Sequence, residues 1–156
     1  MNIRFTNARL INPETGTDDI GDLGVVDGKI AEPTADAEVI DCAGKCLAPG
    51  IIDIGVKVCE PGERHKESYR SAGLAATAGG VTTMVTRPDT APAIDSPEVL
   101  EFVRRRANEA TPVNVLVMAA LTKGREGREM TEIGFLQDAG AVAFTDCDHV
   151  VSDTKV

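Results

Sequence analysis

The sequence predicts an α/β chain: a small β-domain over residues 1–49, then the N-terminal half of a (β/α)8 TIM barrel over residues 50–156. Three observations predict it. Up to Cys46 the chain carries short apolar runs separated by turn dipeptides, the pattern of strands without helices. From Ile51 strand-like runs alternate with helix-like ones, as βα units require. Only four such strands are present, whereas a closed eight-unit barrel takes ~250 residues. A half-barrel exposes two sheet edges. The chain is therefore expected to be a truncated piece of a longer barrel, poorly folded or self-associated by itself, with a self-assembling half-barrel as the alternative.

In the β-domain, Ile3–Ile11 reads as a strand and Asn12–Gly16 as a turn. Leu23–Val26 and Lys29–Ala31 flank Asp27-Gly28, a two-residue hairpin signal. Val39–Asp41 and Lys45–Ala48 read as a further short pair. The expected result is a small β-sandwich or partial sheet.

The barrel half is organised around Ala48–Gly62, APGIIDIGVKVCEPG, an Ile/Val run between two Pro-Gly breaks. Strand alternation predicts an apolar outer face of Ile52, Ile54, Val56 and Val58. Asp53, Gly55, Lys57 and Cys59 would then point into the barrel. A helix over Ser68–Ala78 follows, with Gly79 as its C′ residue. Next come a strand at Val81–Thr86, a helix at Pro97–Ala110 capped by Ser96, and a strand at Val113–Ala120. A helix over Glu132–Ala139 and a strand at Ala141–Thr145 complete the set.

Composition excludes several function classes. The chain is 156 residues long, 42% hydrophobic and 3% aromatic, so its core is expected to be built from Ala, Val, Ile and Leu. A net charge of −9 argues against a nucleic-acid partner. The dense basic run Arg104–Arg106 reads as a solvated helix face. No apolar run approaches the ~20 residues of a membrane span, and the N-terminus lacks a signal-peptide apolar region; a cytoplasmic location is expected. Cys42 and Cys46 lack a second Cys/His pair at zinc spacing, and free thiols are expected.

The strand at Ala48–Gly62 resembles one found in amidohydrolases related to dihydroorotase, which reads roughly P-G-x-I-D-x-H-V-H-x-R-E-P-G. The likeness extends along the chain. Glu63–Ser68 resembles that family's x-E-H-K-E continuation, Ala78–Thr83 its A-G-G-x-T-T, Leu121–Gly127 its I-T-K-G-x-x-G, and Ala139–Thr145 its A-G-A-V-A-F-[ST]. The β-domain pattern resembles part of the family's composite β-sandwich. Each motif is weak alone; their shared order and spacing are not.

The resemblance implies zinc-assisted hydrolysis of a cyclic amide, and the chain departs from it where that chemistry would lie. Gly55 and Lys57 stand at the paired metal-ligand histidines, and Cys147 at an aspartate ligand, flanked by Asp146 and Asp148. Cys59 replaces the arginine that clamps a substrate carboxylate, and Asp89 replaces an asparagine. An ammonium at position 57 repels a dication, and the loss of the arginine removes a bidentate clamp. No bound cofactor is expected, although the family binds zinc. Lys57 is expected to pair with Asp53, Glu60 or Asp146. His65 reads as a hydrogen-bonded loop residue and His149 carries no reading of its own. Cys59 and Cys147 could meet at the barrel mouth as a thiolate site, a weaker alternative.

These departures lead to a dihydroorotase-like pseudoenzyme of pyrimidine biosynthesis, oligomeric and a structural partner of aspartate carbamoyltransferase. The alternative is a divergent cyclic amidohydrolase that uses other ligands.

Overall fold

The computed structural model describes residues Met1–Val156, which divide into two compact units, Met1–Pro49 and Gly50–Val156.

In the first unit β1 (Asn2–Asn12) pairs antiparallel with β2 (Thr17–Val26), and β2 continues into β3 (Lys29–Ile30). The turn between β2 and β3 has Asp27 and Gly28 both at positive φ, 50° and 77°, the geometry a two-residue hairpin demands. One expectation fails. β4 (Glu38–Asp41) and β5 (Cys46–Leu47) do not pair with each other; both run parallel to β1. The reason lies in β1, whose register slips between Phe5 and Ala8 with Asn7 at φ 55°. The Cys42–Lys45 turn follows that bulge: Gly44 N–H donates to the Asn7 carbonyl (2.8 Å), and Asn7 Nδ2 donates to Asp41 Oδ1 (3.1 Å). The unit is one five-stranded sheet.

The second unit is a parallel sheet in the order β6-β7-β8-β9, made by β6 (Ile51–Val56), β7 (Val81–Thr86), β8 (Asn114–Ala119) and β9 (Ala141–Phe144). The crossovers are α1 (Tyr69–Ala78), α2 (Pro97–Ala110) and α3 (Ile133–Asp138). This is the N-terminal part of a (β/α)8 barrel. Ser68 and Ser71 cap α1 reciprocally, satisfying two otherwise orphaned N–H groups. Its end differs from expectation: Gly79 is the C-cap at φ −88°, and Gly80 takes the left-handed position at φ 77°. In α2, Leu100, Val103 and Ala107 recur at helical spacing and are buried. They pack with Tyr69, Met84, Val117 and Leu136 between helices and sheet.

The predicted phase of the first barrel strand is overturned. Gly55 has φ 94° and the register slips between Ile54 and Val56. A bulge inserts one residue and reverses which face follows. Ile54 lies opposite Val85, while Val56 lies opposite Thr86, on the other face of β7. Val56 and Val58 therefore pack with the helical core. Ile52 and Ile54 lie on the face away from the helices and are 60% and 72% exposed. The four residues do not share a face.

Candidate functional site

Loops at the C-terminal ends of parallel strands are where barrel folds gather chemistry. At that end Gly55, Arg87, Met118, Ala143, Thr145 and Cys147 are among the residues lining a cavity of about 410 Å³. β6 contributes the Gly55 bulge, β7 delivers Arg87 directly after its last residue, and β9 leads into Thr145–Cys147. A larger cavity, about 660 Å³, lies around Thr83, Asn108, Thr111 and Asn114, and no charged side chain lines it.

Beside the 410 Å³ cavity lies a chain of charges. Asp89 is only 4% exposed, and its Oδ2 meets Lys57 Nζ at 3.1 Å and Arg87 Nη2 at 2.9 Å. Asp148 Oδ1 meets Arg125 Nη2 at 3.1 Å and Arg87 Nη2 at 3.7 Å. The hydrogen bond to Asp89, then its charge, raises the Lys57 pKa and keeps the ammonium protonated. Burial opposes the Arg87 charge, but Cys147 and Asp89 outweigh it. Asp148 is held below the usual carboxylate range by its own backbone N–H, with help from Arg125, His149 and Arg87. Three buried polar atoms here lack partners: Arg87 Nε, Asp89 Oδ1 and Arg125 Nε.

The structure corrects the partner expected for Lys57. It pairs with Asp89, not with Asp53, Glu60 or Asp146. β6 and β7 are adjacent and parallel, so residues just past their ends meet. Asp146 is instead buried in the backbone of the loop after β8, where it accepts from Leu121 N–H and Thr122 N–H, both at 3.0 Å, and from Thr122 Oγ1 at 2.6 Å. Glu60 is buried at the joint of α1 and α2: its Oε1 accepts from Arg106 Nε (2.8 Å), and its Oε2 accepts from Tyr69 N–H (3.0 Å). Burial pushes the Glu60 pKa up, but Arg106, the Tyr69 amide and Arg64 outweigh it and leave it lowered. Arg104–Arg106 is thus not a wholly solvated face; Arg106 grips Glu60 and Arg104 Nη1 donates to the Ala139 carbonyl.

All four cysteines are free thiols, and of Cys59 and Cys147 only Cys147 lines the cavity. His149 Nδ1 lies 2.6 Å from the Arg125 carbonyl oxygen. Sequence reasoning missed Arg87 and Arg125 as site residues. Arg87 had a readable signal: a cation directly after the β-branched run Val81–Thr86 falls at the chemistry-bearing end of the sheet.

The zinc ion implied by the resemblance asks for several His, Cys or carboxylate donors around one point. No three such side chains of this chain lie together in that way. Gly55 has no donor atom, and Lys57 presents a protonated ammonium engaged by Asp89. The residues of this chain do not by themselves fit the metal.

A sequence model of the family described as "Dihydro-orotase-like" matches residues 44–155. A dihydroorotase of Bacillus cytotoxicus is 44% identical over all of this chain and 37% of its own length. A dihydroorotase of Sulfurihydrogenibium sp. is 39% identical over 99% of this chain and 38% of its own length. The chain thus spans little more than a third of these curated relatives. Among solved structures, an L-hydantoinase (dihydropyrimidinase) of Arthrobacter aurescens superposes with a TM-score of 0.78 at 25% identity, covering 92% of this chain and 32% of its own. With a parallel βα half-barrel that follows a small β-unit in sequence, and a family match over most of its length, this chain belongs to the dihydroorotase-like family.

Proposed function

We propose that this chain is part of a catalytically inactive dihydroorotase-like protein of pyrimidine biosynthesis, cytoplasmic and oligomeric, serving as a structural partner of aspartate carbamoyltransferase. The observation that carries the reading is the Lys57–Asp89 ion pair, 3.1 Å long and anchored on a buried carboxylate. In this reading Gly55 and Lys57 occupy the paired-histidine positions and Cys147 an aspartate-ligand position. Cys59 and Asp89 occupy the positions that would recognise an acidic substrate. A fixed ammonium then stands where a dication would bind, and the carboxylate clamp is gone. A barrel kept without its ligands is most simply explained by a surface that a partner requires.

The test uses the full-length protein. Dihydroorotate turnover, with and without added zinc, is expected to stay at the buffer rate. Co-purification with aspartate carbamoyltransferase from the same source is expected at micromolar concentration. Metal-dependent turnover well above buffer overturns the inactive reading; absence of association removes the partner. The second reading, a divergent cyclic amidohydrolase with other ligands, draws support from the 44% identity to a dihydroorotase and predicts that metal-dependent turnover.

A further inference from the structure

We infer that a small apolar pocket, between the loops after β6 and β7 and the first turns of α2, docks a protein segment that presents one apolar side chain with a lysine or arginine beside it. The pocket shares no lining residue with the cavity of Gly55 and Arg87. The inference rests neither on inactivity nor on the proposed partner.

The first support is the pocket itself. Pro61, Pro92, Val99 and Phe102 form its apolar wall, and Glu98 its charged edge. Its volume is about 270 Å³. Small-molecule sites run from roughly 300 to 1,000 Å³, so this one suits a single side chain better than a metabolite. Phe102 lies off the buried stripe of Leu100, Val103 and Ala107 and is 43% exposed. A chain with 3% aromatic residues thus leaves one of them half in solvent beside two proline rings. Aromatic residues are enriched at protein interfaces, where a few anchors seated in pockets carry most of the binding energy.

The second support is rigidity. The loops after β6 and β7 are fastened together: the Ala91 N–H donates to the Pro61 carbonyl (3.2 Å), and Thr90 Oγ1 donates to the Pro92 carbonyl (2.7 Å). Gly62 permits this closeness, since a Cβ there would come within 2.6 Å of the Ala91 carbonyl oxygen. Proline rings have no side-chain rotamers to freeze. An incoming group therefore meets a formed wall at little ordering cost.

The third support is unpaired charge, and it selects the occupant. Glu98 and Glu101 sit one turn apart on α2, and neither forms an ion pair within the chain, whereas Arg106 is engaged by Glu60 and Glu109. The Ser96 hydroxyl and the Glu98 backbone N–H lower the Glu98 pKa, so this carboxylate is charged at neutral pH. A carboxylate at the rim of an apolar pocket favours a cation-flanked anchor and repels an acid-flanked one.

The test is a chemical-shift titration of the 15N-labelled full chain with acetyl-Lys-Leu-Lys-amide, acetyl-Glu-Leu-Glu-amide and acetyl-Lys-Ser-Lys-amide, each at constant ionic strength. Saturable millimolar binding is expected for the first peptide alone, with shifts centred on the amides of Val99 and Phe102. Phe102→Ser is expected to weaken it about tenfold, equivalent to about 1.4 kcal/mol. Glu98→Lys is expected to reverse the preference in favour of the acidic peptide, and it stands in if Phe102→Ser does not fold. Linear, unsaturated shifts with the Lys-Leu-Lys peptide overturn the proposal, as does unchanged affinity in a folded Phe102→Ser variant. Equal binding of the acidic peptide also overturns it, because the pocket would then select no charge. Sedimentation checks the competing occupant: self-association of the unmodified chain that Phe102→Ser abolishes would assign the pocket to a second copy and overturn the proposal.

Discussion

Two buried carboxylates of the barrel half, Glu60 and Asp89, invite comparison. Each is nearly inaccessible and each meets two basic side chains. Glu60 spends both oxygens: one on Arg106 and Arg64, the other on the Tyr69 N–H that opens α1. Asp89 spends one oxygen on Lys57 and Arg87, while the other stays unpartnered, as does Arg87 Nε. The first arrangement is saturated, and it ties α1 to α2. The second retains donors and acceptors that nothing in the chain consumes. A saturated buried ion pair holds a structure together; an unsaturated one leaves buried polar atoms uncompensated and contributes less.

The largest expected effect comes from breaking the saturated joint. Glu60→Ala leaves Arg106 without its buried partner and uncaps the first amide of α1. A loss of about 3 kcal/mol is expected, measured by urea denaturation. The same group sets a pH dependence. The Glu60 pKa is lowered in the fold from its ordinary 4.5, so the unfolded chain binds the proton more readily. Its stabilisation is therefore present above pH 4.5 and is lost as pH falls through the lower folded value. Glu60→Gln is expected to flatten that part of the stability profile; an unchanged acid limb disproves the assignment.

A smaller effect is expected at the unsaturated pair. Lys57 is 54% exposed, so water screens much of its attraction to Asp89. Asp89→Asn is expected to cost about 1 kcal/mol, well below the Glu60 variant under identical denaturation. Equal destabilisation of the two variants would erase the distinction between joint and site.

The fold was largely legible because its signals were local. Pro97 at the start of α2, Asp27-Gly28 between β2 and β3, and Gly140 ahead of β9 each dictate backbone geometry through their own chemistry; Ser96 takes the N-cap position of α2, but its side chain makes no capping hydrogen bond, contrary to expectation. What escaped was non-local. Asn7 gives no sequence sign that its bulge steers Cys42–Lys45, which made β4 and β5 look like a hairpin. The phase of β6 was misjudged because Gly55 was read as a small residue on a regular strand, whereas its φ of 94° breaks the alternation. The candidate site was legible as a place, since Gly55, Lys57, Asp89 and Cys147 were all singled out. The pairing of Lys57 with Asp89, and the role of Arg87, depended on which strand ends become neighbours.

The smallest expected effect is a null one, and it tests the proposed inactivity most directly. The double substitution Gly55→His with Lys57→His in the full-length protein is expected to leave dihydroorotate turnover at the level of the unmodified chain, with zinc present. Space does not forbid an imidazole at position 55, since a Cβ there meets nothing within 4 Å. Backbone geometry opposes it: φ is 94°, which a side chain adopts only with strain of roughly 1–2 kcal/mol. Removing Lys57 also leaves Asp89 with Arg87 alone, so Arg87 remains beside the place a dication would enter. In the proposed reading, Cys59 and Asp89 still present no clamp for an acidic substrate. Zinc uptake by the double variant without turnover is compatible with the proposal, because ligands and substrate recognition are separate losses. Zinc-dependent turnover gained by these two changes alone would show that Cys59 and Asp89 do not bar the substrate, and would confine the proposed loss of activity to positions 55 and 57.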